Sequence, residues 1–251
     1  MFKNIINKIY RKKIGFFGKY ISYDQALLSC DGYSTKNLIR HVYNQAKLAI
    51  KTKNYEQDGI IYNKPVINQF LIYCFLNYLI NQKEFDVKKK FKILDYGGSF
   101  GNLFFSLKNF IHLNFDWTII EQNEKVKLAN KNKIFKNIKF KNPTYKSKKY
   151  DLVIFNTSFQ YLPNPVETFK KLKFKNNKFI ITNLTVSSLY KNYLKIEYPD
   201  PKVYRYTYPC WFFSEKYLVK NLFKNFRVKI FKIDNPPYLL NKKEKYINLY
   251  L

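Results

Sequence analysis

The chain has 251 residues, 46% hydrophobic and 20% aromatic, a composition that folds as one large α/β domain with additions or as two small domains and excludes a disordered polymer. Its formal net charge is +29, but arginine occurs only at 11, 40, 205 and 227 and the lysines are dispersed among Asn, Ile, Phe and Tyr. Scarcity of the residue that grips phosphates bidentately argues against a dedicated nucleic-acid reader, and the mixture reads as codon bias of an AT-rich genome.

Cys30, Cys74 and Cys210 are odd in number and far apart. They suggest neither a disulfide framework nor a zinc site, and a reduced, cytoplasmic compartment is expected. The N-terminus "MFKNIINKIYRKK" is interrupted by Lys and Asn every few residues and does not read as a signal peptide.

Residues 2 to 17 place Phe2, Ile5, Ile6, Ile9, Tyr10, Ile14 and Phe17 near one face of a helix, with Lys3, Lys8, Arg11 and Lys12 opposite. Such a basic amphipathic helix docks on its own protein or makes peripheral contact with an anionic membrane, which would place the chain at the inner face of that membrane. Helical patterns follow at 35 to 51 and 63 to 82, separated by "NYEQDGIIYNKP", read as a loop that turns at Asp58 and Gly59. Within the second helix, "VINQFLIYCFLNYLI" is short of the ~20 residues that span a bilayer and reads as a buried helix.

From Phe91 the pattern changes. Short β-type runs ("FKILDYG", "WTIIEQ", "NIKFK", "DLVIFNTS", "KFIITN") alternate with helix-type runs ("NLFFSLKNF", "NEKVKLANKN", "PVETFKKLK"). That alternation predicts parallel βαβ units. An aromatic insertion at 184 to 213 follows, then a helix N-capped at Ser214, then two β-type runs whose short connection makes them antiparallel. The expected fold is α/β, a doubly wound, mostly parallel seven-stranded sheet with an antiparallel terminal pair. An N-terminal helical extension over 1–88 precedes a Rossmann-like domain over 89–251.

The glycines concentrate in "KILDYGGSFGN", between the first of those strands and its helix. A ligand in such a sheet binds outside the carboxyl ends of the strands, beside this turn. A dinucleotide fingerprint starting at Gly97 would need glycines at 99 and 102, which are Ser and Asn. The alternative spacing, acidic-x-Gly-x-Gly-x-Gly, is met by Asp95, Gly97 and Gly101, with Gly98 falling between and Ser99 at the middle glycine.

In this stretch the sequence resembles the class I S-adenosylmethionine-dependent methyltransferases. The resemblance implies that Asp95, Gly97, Gly98, Ser99 and Gly101 border the methionine part of S-adenosyl-L-methionine, glycine allowing close backbone approach and the acid meeting the amino group directly or through water. Glu121, at the end of the next strand, then accepts hydrogen bonds from the ribose hydroxyls. "YDLVIFNTSFQYLPNP" looks like the superfamily's fourth motif and places Asn156, Thr157 and Ser158 beside the cofactor and Tyr161 beside the acceptor.

Further stretches resemble a narrower group of methyltransferases encoded among bacterial surface-polysaccharide genes. These are "YISYDQAL" with "DGY", "YEQDGIIY", "ILDYGGSFGNLFF", "IIEQ", "FQYLPNP" and "YPCWFFSEKYL", which together run along most of the chain from Tyr20. The resemblance implies O-methylation of a small molecule or of a sugar in a surface-glycan precursor. Two departures bear on the acceptor side: Gln57 stands where the group has Arg, and Asn183 and Leu184 stand where it favours an Asp-Arg pair.

A sulfonium is an activated methyl donor, so the protein's tasks are alignment and a base for the acceptor. Asp58 is the candidate for acceptor contact or base, against its plainer role as a turn residue before Gly59. Tyr208 and Trp211, with Phe212, are candidates for an aromatic wall over a saccharide, against simple packing. His41 and His112 read as structural. A nucleic-acid methyltransferase and a non-catalytic protein that keeps the fold stand as alternatives, and no metal is expected.

Overall fold

The computed structural model describes residues 14–33, 35–82, 90–108, 110–111, 114–146, 148–175, 178–201, 206–224, 226, 229–232, 240 and 243–250. In chain order they form β1 (Gly15–Tyr20), α1 (Tyr23–Leu28), α2 (Lys36–Thr52), β2 (Tyr55–Gln57), β3 (Ile60–Tyr62), α3 (Ile67–Asn81), β4 (Phe91–Tyr96) and α4 (Asn102–Lys108). Next come β5 (Phe115–Ile120), α5 (Asn123–Asn130), β6 (Ile138–Lys141), β7 (Lys149–Tyr150), β8 (Leu152–Asn156), α6 (Pro165–Lys171), β9 (Lys173–Phe174) and β10 (Phe179–Ser187). The last are β11 (Tyr193–Tyr198), β12 (Tyr208–Ser214), α7 (Glu215–Tyr217), β13 (Lys229–Lys232) and β14 (Glu244–Tyr250).

The chain divides into two units: one comprises Ile39–Ser158 and Leu172–Thr182, the other Met1–Leu38, Phe159–Lys171 and Asn183–Leu251. In the first, β6, β5, β4, β8 and the opening residues of β10 lie side by side in that order, every pair parallel. Inner strands of this kind are covered on both faces, and β8 is accordingly a continuous buried run from Leu152 to Phe155, whereas β6 at the edge alternates buried and exposed residues. Ile93, Leu94, Trp117, Ile119, Val153, Ile154 and Phe155 are all buried there.

Because the strands run the same way, the segments leaving β4, β5 and β8 emerge at one edge. The Gly97 N–H donates to Ile120 O and the Glu121 N–H to Lys141 O, each at 2.9 Å, so that edge is tied together by backbone bonds. The five parallel strands and the antiparallel terminal pair, β13 with β14, agree with the sequence expectation.

In the second unit, the closing residues of β10 pair in parallel with β12, β12 antiparallel with β11, and β11 antiparallel with β1. Phe16, Tyr193, Cys210, Phe212 and Tyr246 form its buried aromatic cluster. Ser214 caps the helix that follows, its Oγ accepting from the Tyr217 N–H at 3.3 Å.

Four expectations need correction. The helix over 2 to 17 does not extend to its predicted end, because Gly15–Tyr20 is a strand; Gly15 and Gly18 both have positive φ, which a helix does not tolerate, and residues 1–13 lie outside the described residues. The aromatic insertion is largely strand, β11 and β12, its aromatics filling the cluster above. The loop "NYEQDGIIYNKP" holds a hairpin, β2 with β3. Asp58 (φ 53°) and Gly59 (φ 82°) supply the two left-handed residues that a two-residue hairpin turn requires.

The fourth correction concerns α3, which is not buried all round. Asn68 and Gln69 point inward and are buried, whereas Ile67, Phe70, Leu71 and Tyr78 are exposed. Hydrogen bonds override hydropathy at this helix: Asn68 Nδ2 donates to Thr157 Oγ1 at 3.1 Å, Gln69 Nε2 to Glu56 O at 3.0 Å, and Ser106 Oγ to Gln69 Oε1 at 3.1 Å.

Candidate functional site

The turn after β4 is built by close packing of the chain on itself. A Cβ added at Gly97 (φ 77°) would lie 2.6 Å from Ser158 Cβ, one at Gly98 2.3 Å from Asp95 Oδ2, and one at Gly101 (φ 85°) 2.3 Å from Ile138 Cδ1. The three glycines let the turn close over Asp95, against the first residue of β6 and against the segment after β8. Ser99 adopts φ 51°, the left-handed conformation a glycine at the same place would favour, so it replaces that glycine in conformation though not in residue type.

Asp95 is wholly buried beneath this turn. Its Oδ2 accepts from Trp117 Nε1 at 3.3 Å, while Oδ1 has no hydrogen-bond partner. Burial pushes its carboxyl up to about 7, with the indole N–H acting the other way and the negative field of Glu121 adding to the rise. A buried oxygen without a donor is costly.

Glu121 lies one residue beyond β5 and is also buried. Its Oε1 accepts from the Ser99 N–H at 3.2 Å and from Lys125 Nζ at 2.8 Å, and its Oε2 from the Gln122 N–H at 2.9 Å. Lys125 is four residues on, one helical turn into α5, so the sequence spacing brings it over the carboxylate.

After β8, Asn156, Thr157 and Ser158 are each partly exposed at the same edge. Thr182 Oγ1 donates to Asn156 Oδ1 at 2.7 Å and accepts from the Thr157 N–H at 3.1 Å, and Ser158 Oγ donates to Tyr96 O at 2.5 Å. Thr157 has φ 53°. A left-handed non-glycine residue held by neighbours on two sides is the kind of strained position that concentrates at ligand sites.

The β2–β3 hairpin adds two further acids. Glu56 is buried, its Oε1 accepting from the Gly59 N–H and its Oε2 without a partner, and burial pushes it up to about 8. Asp58 is exposed at the tip of the turn, where its Oδ2 accepts from Gln57 Nε2 at 3.4 Å. His41 holds the turn from α2, Nε2 lying 3.1 Å from Gly59 O. His112 lies outside the described residues.

Lys125 pairs with Glu121 at 2.8 Å and its positive field also reaches Glu56 and Asp58, while Glu121 acts on Asp95. Sequence reasoning found Asp58, Asp95 and Glu121 and missed Glu56 and Lys125. Inward alternation in "YEQ" would have pointed to Glu56, and the four-residue spacing in "EQNEK" to Lys125. Among the described residues no group of His, Cys, Asp and Glu is arranged to hold a metal ion.

In the other unit Tyr161, Tyr208 and Tyr33 pack together: Tyr33 stacks on Tyr208 with ring centroids 3.9 Å apart, and Tyr161 meets both edge-on at 5.5 Å. Tyr161 donates to Glu197 Oε2 at 2.5 Å, and Tyr23 donates to Tyr161 O at 3.2 Å. Trp211 donates its indole N–H to Leu162 O at 3.1 Å. Phe212 belongs to the buried cluster and has no surface to offer a ligand.

No protein-family model and no curated protein matches the chain. Solved structures do. The N-terminal domain of EvdMO1 in the presence of SAH and D-fucose is 12% identical over 88% of this chain and 98% of that one, with a TM-score of 0.53. The same domain with SAH bound is 12% identical over 84% and 95%, at 0.51. The plantazolicin methyltransferase BpumL in complex with SAH is 19% identical over 73% and 63%, at 0.42. The fold is that of the class I methyltransferases, mostly parallel with an antiparallel strand pair.

Proposed function

We propose that the chain is an S-adenosyl-L-methionine-dependent methyltransferase acting on a small-molecule acceptor, with a hydroxyl of a sugar in a surface-glycan precursor as the preferred class. The observation that carries this reading is the pair of buried carboxyls, Asp95 and Glu121, at the carboxyl ends of two adjacent parallel strands, Asp95 with an unpartnered oxygen and Glu121 bonded to the glycine turn through the Ser99 N–H, in a chain otherwise strongly basic. Such a site favours a small cation and disfavours phosphate. The D-fucose in the EvdMO1 structure is consistent with a sugar acceptor for a protein of this fold.

The cofactor would be held by Asp95, Gly97, Gly98, Ser99 and Gly101 at its methionine end, by Glu121 at the ribose, and by Asn156, Thr157 and Ser158 alongside. When bound, it supplies a sulfonium methyl group for in-line displacement. Asp95, covered by Gly98, acts on a cationic amino group through the field of its carboxylate and through the turn it supports. Glu121 has two oxygens already engaged by N–H groups, which fix its plane and leave remaining lone pairs for hydroxyl donors.

Asp58 is the assigned acceptor base: it stands at the exposed tip of the β2–β3 turn, where its carboxylate is open to take a hydroxyl proton as the methyl transfers. Tyr161, Tyr208 and Trp211 are assigned to acceptor contact. Of these, Tyr161 and Trp211 are partly exposed, whereas Tyr208 is buried with a face stacked on Tyr33.

Titration calorimetry of the whole chain with S-adenosylmethionine and with S-adenosylhomocysteine tests the cofactor assignment. Binding lost in Glu121→Ala, with thermal unfolding unchanged, is the expected result; no heat at millimolar cofactor would remove the reading. The net charge permits RNA as a rival acceptor. A steep fall of both RNA affinity and methyl transfer with salt would establish that rival instead.

A further inference from the structure

Helix α3 carries a stripe of exposed apolar side chains along one face. Ile67 is 66% exposed, Phe70 49%, Leu71 37% and Tyr78 48%, and Cys74 is exposed between them. These positions follow the i, i+3, i+4, i+7, i+11 spacing of one helix face. Phe110, 43% exposed, continues the surface next to Tyr73, with ring centroids 5.2 Å apart. A shallow groove between Pro65, Phe70, Tyr73 and Phe110 completes it.

The outward orientation is imposed from inside. Turning the helix to bury Phe70 and Leu71 would expose Asn68 and Gln69 and break their bonds to Thr157, Glu56 and Ser106. Nor does the stripe carry charge: residues 67 to 82 contain no Lys, Arg, Asp or Glu, in a chain with 46 Lys and Arg. Lys64 precedes the helix and Lys108 ends α4, which packs on it.

We propose that this face seats on an anionic lipid bilayer, the apolar stripe of α3 entering the interface and the surrounding lysines meeting the headgroups. Charge decides between the occupants of such a surface. A second copy also carries +29 and is repelled, whereas an anionic bilayer attracts lysine and accepts Phe, Leu, Ile and Tyr at the level of its headgroups. The helix lies on the membrane and does not cross it: no helix among the described residues is long and apolar enough to span one. The proposal is independent of the methyl-transfer reading.

The test uses the full chain and sedimentation with vesicles of phosphatidylcholine alone or mixed with phosphatidylglycerol. Phe70→Gln with Leu71→Gln leaves the charge unchanged; Ile21→Gln with Leu28→Gln, at residues 93% and 76% exposed elsewhere, is the matched control. The expected result is partitioning to the mixed vesicles that falls about tenfold or more in the first pair and stays unchanged in the control. A solvatochromic dye on Cys74, the one exposed cysteine, shifts to the blue on vesicle addition. Equal partitioning of wild type and the α3 variant, or no partitioning of wild type, overturns the proposal. So does a dimer in vesicle-free sedimentation velocity that the α3 variant abolishes, since the face would then belong to a second copy.

Discussion

The backbone N–H of Ser99 donates to Oε1 of Glu121 at 3.2 Å, joining the glycine turn after β4 to the acid after β5. The bond requires Ser99 to stand at φ 51°. A non-glycine residue pays roughly 1–2 kcal/mol in that conformation, and replacing serine by glycine recovers it less the extra entropy glycine loses on folding, about 0.5–1 kcal/mol. Ser99→Gly is therefore expected to raise stability by up to about 1.5 kcal/mol while leaving cofactor affinity within a few-fold. Ser99→Val, branched at Cβ, is expected to destabilise and to weaken binding by disturbing Glu121. Chemical unfolding and calorimetry on the pair check this, and a stabilised valine variant would contradict it.

Lys125 tests how Glu121 is used. It forms a largely buried ion pair with that acid at 2.8 Å. If Glu121 serves a ligand, removing its own carboxylate should cost about 1.5–3 kcal/mol of binding, tenfold or more, the range of hydrogen bonds to a charged group. Lys125→Met removes the competing cation yet keeps the N–H bonds from Ser99 and Gln122, so affinity should fall far less than in Glu121→Gln. Equal losses in the two variants would mean that the ion pair, not the acid, is what the ligand needs.

Asp95 makes cofactor binding depend on pH. Its carboxyl is pushed up to about 7, so near neutrality it is partly protonated. A cationic amino group nearby favours the ionised form, so binding lowers that value and releases a proton. Affinity is expected to rise as pH increases through about 7 and to level above it, and the dependence should vanish in Asp95→Asn. Calorimetry in buffers of different ionisation enthalpy measures the released proton directly; none released would remove Asp95 from the site.

Parallel strands were legible because short β-type runs such as "LVIF" alternate with helix-type runs between turn signals, and Asp95 and Glu121 were legible because they stand at strand ends. What escaped was decided by long-range contacts. Gly15–Tyr20 is a strand only because Tyr193–Tyr198, far along the chain, pairs with it. Glu56 joins the site because the hairpin turn folds the Gly59 N–H back onto its carboxylate, and α3 turns its phenylalanine outward because Asn68 and Gln69 find partners within. No periodicity in the local sequence records such partners.

Glu56 gives the protein a distinctive dependence of stability on pH. Its carboxyl is pushed from 4.5 up to about 8 by burial, and Oε2 lacks a donor. Below about 4.5 the group is protonated in both folded and unfolded chains and has no effect. Between there and about 8 the unfolded chain ionises while the folded one keeps its proton, so stability falls as pH rises, by at most about 1.4 kcal/mol per pH unit from this group. Above about 8 the penalty is constant. Glu56→Gln cannot ionise and keeps an oxygen for the Gly59 N–H. The variant should therefore unfold at higher denaturant than wild type, by a margin that widens from about pH 4.5 to about pH 8 and then holds. A margin that is flat over that window, with both proteins folded, would show that Glu56 is ionised in the native protein and that Lys125 compensates it.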